Sequence, residues 1–117
     1  MRKVYYLSTC DTCKRIMNGL NLEGFVTQDI KTEAITEQQL EEMRALTDSY
    51  NSLFSKVARK YRSMGLNDME LTEEELKNYI LQEYTFLKRP VFIVDKQIFI
   101  GNSKKNITAL RKNLDSA

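Results

Sequence analysis

The stretch "KVYYLSTCDTCKRIMNGL", residues 3–20, constrains this chain more than any other. It begins with a short β-branched and aromatic run that reads as a buried strand and leads directly into Ser8, Thr9 and Cys10. Beyond it, Ile16, Met17 and Leu20 fall at helical spacing, which predicts a helix over about residues 11–23, ended near Gly24. The segment "FVTQDI", residues 25–30, reads as a second strand. Strand, CxxC, helix, strand is a βαβ unit, and it places both of the protein's cysteines, Cys10 and Cys13, at a helix N-terminus.

What such a pair can do depends on its compartment and on the ligands around it. The chain has 117 residues, 42% of them apolar and 29% charged, which suits a soluble globular domain able to bury a core without disulfides. No apolar run approaches the length of a membrane span, and the N-terminus lacks the features of a secretory signal, so a cytoplasmic, reducing location is expected. There a close cysteine pair is redox-active, metal-binding, or simply two inert buried residues. A structural zinc site wants four nitrogen or sulfur ligands. With two thiols and no histidine, no metal is expected. The net charge of +2 is too small to mark nucleic acid as a direct partner.

Two hexapeptides further along, "ITEQQL" at 35–40 and "LTEEEL" at 71–76, carry the same helix-start signal. In each, the threonine hydroxyl can accept from the amide three residues on, while Gln39 or Glu75 reaches back; Ile35 with Leu40, and Leu71 with Leu76, can form the hydrophobic staple. Between them Leu53, Phe54, Val57, Ala58 and Tyr61 make an apolar stripe that predicts a further helix of about fifteen residues ending before Gly65. The segment "RPVFIVDKQIFIG" then reads as a β-hairpin, with runs at 91–94 and 98–100 around a turn at Asp95, Lys96 and Gln97. Ser103 is placed to cap a last helix that buries Ile107, Leu110 and Leu114. The resulting order, β-α-β, a helical insert, then β-β-α, is that of a thioredoxin/glutaredoxin-like three-layer αβα fold in class α/β. A single domain over 1–117 is expected, with a core at 1–32 and 89–117 and the insert at 33–88.

"STCDTCKR", "FSKVARKYRSMGLN", "ILQEYTFLKRPVFIVD" and "IGNSKKNI", in that order over nearly the whole chain, resemble the arsenate reductase (ArsC) family, including its Spx-type transcription regulators. The resemblance implies that Cys10 is the nucleophile and that Arg89, just before the proline, steadies the thiolate or an oxyanion. It also implies a cis bond before Pro90, the only proline. Elementary chemistry agrees about Cys10. Unpaired amides and the positive end of the helix dipole favour an anion at the N-cap, and each unit of pKa depression corresponds to about 1.4 kcal/mol. Lys14 and Arg15 are expected to add positive charge there and Asp11 to oppose it. Cys13, one turn further along, is expected to resolve a mixed disulfide or sulfenic acid on Cys10. Thr9, Thr12, Lys14, Lys56 and Pro90 make up the expected substrate-binding set.

Two positions depart from the pattern of the glutathione-dependent arsenate reductases. Further arginines of those enzymes, one in the insert and one after the last hairpin, fall here on Ser55 and Gly101, with Lys56 next to the first. Gly101 and the intact CxxC agree better with the Spx branch, but the glycine that those regulators use to contact the RNA polymerase α subunit has no counterpart in "TDSYNS". The implied function is an ArsC-family thiol-disulfide oxidoreductase, with arsenate among its candidate substrates. The alternative is a redox-switched regulator that binds the RNA polymerase α subunit. The enzyme reading implies a small oxyanion or disulfide substrate, glutathione or another thiol as reductant, glutaredoxin or thioredoxin as partner, no bound cofactor and a monomer. Lys56, Arg59, Lys60 and Arg62, and likewise Lys104, Lys105, Arg111 and Lys112, read as solvated faces of amphipathic helices.

Overall fold

A computed structural model describes residues 1–115. The elements follow one another as β1 (Arg2–Tyr6), α1 (Asp11–Asn18), β2 (Val26–Asp29), α2 (Glu37–Ala45), α3 (Arg59–Ser63), α4 (Glu73–Gln82), β3 (Val91–Val94), β4 (Gln97–Ile100) and α5 (Lys104–Asp115). Two compact units result, one built from Met1–Ala34 with Arg89–Ala117 and the other from Ile35–Lys88.

The first unit holds a four-stranded sheet in the order β2-β1-β3-β4. β1 and β2 run parallel, with Tyr6 opposite Asp29. β3 is antiparallel to both β1 and β4, with Val4 opposite Phe92 and Val91 opposite Ile100. The parallel pair requires a crossover, which α1 supplies. The antiparallel pair needs only the two residues Asp95 and Lys96 between β3 and β4, and Asp95 adopts a positive φ of 57° to close that turn. Gln97, expected in the turn, is the first residue of β4.

One face of the sheet carries Val4, Phe92 and Val94, which pack with Ile16 of α1 and Leu110 of α5. Each such fully buried side chain contributes about 1.5–3 kcal/mol. Tyr5, Val91 and Ile93 alternate with these residues and are also buried, so β1 and β3 are apolar on both faces. α5 starts where expected: the Ser103 hydroxyl accepts from the Asn106 amide at 3.1 Å, and Ile107 and Leu114 pack beside Leu110.

α1 is shorter than its apolar spacing predicts. It ends at Asn18 rather than near Glu23, and Gly19 caps it, with its amide reaching Ile16 O at 3.1 Å. Leu20, Leu22 and Phe25 still pack on the core, but from a loop, so burial continued after the helical period had stopped. Gly24 lies in that loop with φ 83°.

In the second unit both expected helix starts form. Thr36 and Thr72 each accept from the amide three residues on, and Gln39 and Glu75 return the bond, so both capping boxes are complete. Lys77 of α4 reaches Glu37 and Glu41 of α2 at 3.6 and 3.1 Å. The fifteen-residue helix expected between them is absent, and only Arg59–Ser63 is helical there. Leu53 and Phe54 are buried because the backbone is extended at this point: Phe54 bridges Leu87, Lys88 N donates to Leu53 O at 2.8 Å, and Ser55 N donates to Phe86 O at 2.7 Å. Phe54 stacks on Phe86 at 5.1 Å and meets Tyr61 edge-on at 5.8 Å. Val57, placed on the expected apolar stripe, is 93% exposed. Lys56 accordingly precedes α3 rather than lying on a helix, and Lys60 pairs with Glu83.

Candidate functional site

β1 delivers the chain to a turn at Ser8 and Thr9, closed by the Cys10 amide on Leu7 O at 3.0 Å. Cys10 follows as the N-cap of α1, in an extended conformation (φ −98°, ψ 110°). Its thiol is partly exposed, whereas Cys13, one turn on, is fully buried. Both are free thiols.

The two thiols differ in how readily they ionise. Burial pushes the Cys10 thiol up. The amide and thiol of Cys13, the Thr12 amide and the Arg89 guanidinium act the other way and prevail, leaving Cys10 below the usual thiol value. The thiol forms no regular side-chain cap bond; the amides nevertheless lie where they favour its anion, as expected at a helix N-terminus. Burial also dominates Cys13. Donating a hydrogen bond to Cys10 and lying beside its charge add to that effect, and the thiol is pushed up to about 11. The structure thus contains one thiol poised to lose its proton and a second that donates to it.

Of the residues expected at the site, Cys10, Cys13, Thr12 and Arg89 come together electrostatically. Pro90 follows Arg89 through a cis peptide bond and is buried. Thr9 is exposed in the thiol turn, and Lys14 and Arg15 are exposed on α1. Lys56 belongs to the Ile35–Lys88 unit and is also exposed. The two positions where arginines were sought have clear local reasons for their residues. Ser55 is only 7% exposed, leaving little room for a guanidinium. Gly101 has φ 89° and donates to Pro90 O at 2.9 Å, a conformation that disfavours any side chain.

Ser8 and Asp29 did not stand out in the sequence, yet both shape the loop. The Asp29 carboxylate accepts from the Ser8 amide and from the Lys31 amide, each at 3.2 Å. The Ser8 hydroxyl contributes most to holding this carboxyl below its usual range. Only the parallel register, which sets Asp29 opposite Tyr6, brings it to the end of β1. Among the described residues no group of three or more His, Cys, Asp or Glu side chains could hold a metal ion, and no helix is long and apolar enough to cross a membrane.

Comparison with known proteins places this geometry among relatives. The regulatory protein MgsR of Bacillus subtilis is 21% identical over 111 residues, covering 92% of this chain and 88% of its own. The global transcriptional regulator Spx of Streptococcus pneumoniae is 23% identical over 112 residues, covering 93% and 84%. Among solved structures, an arsenate reductase from Vibrio cholerae superposes with a TM-score of 0.71 at 15% identity, covering 94% of this chain and 95% of its own. At that identity the likeness establishes a shared thioredoxin-like fold. Residues 5–110, from the first strand through the thiol turn to the last helix, match the sequence profile of the ArsC family, and the chain belongs to that family.

Proposed function

We propose that the chain is a thiol-disulfide oxidoreductase working from its Cys10–Cys13 pair in a reducing cytosol. The observation that carries this reading is a free, partly exposed Cys10 at the N-cap of α1 with a second free thiol, Cys13, buried one turn on; the first is lowered and the second raised, as that geometry favours. The Cys10 thiolate attacks one sulfur of a substrate disulfide. The substrate S–S bond breaks, one substrate thiolate leaves and takes up a proton, and a mixed disulfide forms on Cys10. Cys13 then gives up its proton and attacks the Cys10 sulfur, which releases the second substrate thiol. Two electrons have passed to the substrate, and the pair is left as a Cys10–Cys13 disulfide. Glutathione, or a glutaredoxin- or thioredoxin-type protein, returns those electrons. Arg89 steadies the thiolate, the exposed Thr9 and half-buried Thr12 flank it along the chain, and the enzyme acts as a monomer without a bound cofactor.

A disulfide is the favoured substrate because a small reactive oxyanion asks for more fixed cations. Ser55 and Gly101 stand where arginines were sought, and their burial and backbone geometry suit the residues they have. Arsenate is the oxyanion to test beside it, given the name of the Vibrio cholerae relative. Coupled assays with model disulfides and with arsenate should find wild type active and Cys10→Ser at background. Cys13→Ser should accumulate a mixed disulfide visible by mass spectrometry. Equal rates for wild type and Cys10→Ser on every substrate overturn the reading.

A second reading draws on the names of the MgsR and Spx relatives: the same pair serves as a switch in a transcription regulator without turnover. Binding to the RNA polymerase α subunit, lost on oxidation or in Cys10→Ser, together with no activity on any disulfide, would select it.

A further inference from the structure

We propose that Asp29 is a positioning residue for Cys10: its carboxylate, acting as a hydrogen-bond acceptor, fixes the turn that sets the thiol against the amides of α1. The inference rests on the thiol chemistry proposed above and adds a residue outside the CxxC segment to it.

Asp29 is the last residue of β2, opposite Tyr6, and the Ile30 amide donates to Tyr6 O at 2.9 Å just beyond it. Its side chain therefore arises where β1 ends and the thiol turn begins. Oδ1 takes the Ser8 amide from one side and the Lys31 amide from the other, each at 3.2 Å. The carbonyl of the same residue accepts from the Glu33 amide at 2.8 Å, the Thr32 amide at 3.2 Å and the Thr32 hydroxyl at 3.3 Å. Buried Gln28 extends this frame by donating to Glu33 O at 3.1 Å. With its backbone held by three donors, the carboxylate has little freedom to follow Ser8 if that residue moves, so Ser8 is held instead.

Ser8 is separated from Cys10 by Thr9 alone, and the turn is also closed by Cys10 N donating to Leu7 O at 3.0 Å. Removing the Ser8 anchor leaves the turn less constrained where the chain enters α1. Hydrogen-bond stabilisation of an anion falls off steeply with distance and angle, so a loosened turn weakens what the Thr12 and Cys13 amides give to the thiolate. The charge of Asp29 acts in the opposite sense, because a nearby negative group disfavours a second anion. These two effects can be separated by substitution.

The experiment measures the pH dependence of Cys10 alkylation in the full chain, with melting temperatures recorded alongside. Below the thiol pKa the rate follows the thiolate fraction, about tenfold for each unit. Asp29→Ala removes the acceptor and should slow alkylation there. Asp29→Asn keeps an acceptor at the same reach without the charge and should stay close to wild type. Asp29→Glu keeps the charge but displaces the acceptor, and should again be slow. Should Asp29→Ala not fold, the Asn and Glu variants decide the matter between them. Any other pattern overturns the proposal, including variants that all match wild type or that speed up together as the charge is lost. A wild-type thiol with an ordinary pKa but unequal variants would sink the proposed function and leave the positioning role. A lowered wild-type thiol with equal variants would sink the positioning role alone.

Discussion

Cys10 owes its ionisation less to charged side chains than to peptide and thiol donors. Among the groups that lower it, the amide of Cys13 acts most strongly, then the Cys13 thiol and the Thr12 amide, with Arg89 last. Hydrogen bonds to a charged acceptor are worth about 1.5–3 kcal/mol, whereas a partly solvated charge is screened. Cys13→Ala keeps the amide and removes only the thiol donor, while Arg89→Gln removes only the guanidinium charge. Both variants should raise the Cys10 pKa, Cys13→Ala by more, when alkylation is followed against pH. A larger effect of Arg89→Gln would mean that charge governs the site. The position of Cys10 at a helix start was legible from the CxxC between a strand and a helical period. The dominance of amides over Lys14 and Arg15 was not, because sequence shows which cations are near in the chain but not where they point. Asp29 was invisible for a related reason: its partner is set by the register between β1 and β2, and nothing in "FVTQDI" encodes that register locally.

At the scale of elements, the strands and the helix starts are legible in the sequence, whereas the segment around Phe54 and the end of α1 are set by contacts that the local pattern does not carry. Both capping boxes form because all four groups of each lie within four consecutive residues. The Phe54 segment failed as a helix because Leu87 and Lys88, far along the chain, bind it in extended form, while Val57 was left in solvent. The α1 terminus failed because two glycines compete as stop signals and burial of Leu20 and Leu22 mimics a continuing helix. The two boxes make a quantitative comparison. Replacing an N-cap threonine by alanine costs about 0.5–2 kcal/mol, and sites without shared partners add. Thr36→Ala and Thr72→Ala should each lower the urea midpoint by an amount in that range. The double variant should lower it by their sum, with the m-value unchanged. A sum well short of additive would mean that the two helix starts share an interaction beyond the separate boxes.

For the whole molecule, the shifted groups predict how stability changes with pH. Asp29, held by the Ser8 hydroxyl, and Glu83, held by Lys60, ionise below their usual values of 3.8 and 4.5. A carboxyl lowered by folding contributes fully above its unfolded value and loses that contribution as pH falls through its folded one. The unit that holds Glu83 therefore loses stability below about pH 4.5, and the unit that holds Asp29 below about pH 3.8. Cys13 has the opposite sign. Raised to about 11 from 9.0, first by burial, it contributes fully below its unfolded value and loses this as pH climbs towards its folded one. Cys10 offsets part of the loss, since a lowered thiol gains stability as pH rises to its unfolded value. Lys77, raised by its bond to Glu41, adds a second alkaline loss that variants at the thiols leave in place. Melting temperatures of the reduced protein should fall at both ends of the range, most steeply on the alkaline side between 9 and 11. Glu83→Gln should flatten the acid side, because its neutral amide has no proton to gain. Cys13→Ala should flatten the alkaline side even though it lowers the plateau by leaving a small void. An alkaline fall that survives Cys13→Ala undiminished would place the loss on Lys77 and other cations, and would mean that the buried thiol does not keep its proton as the site requires.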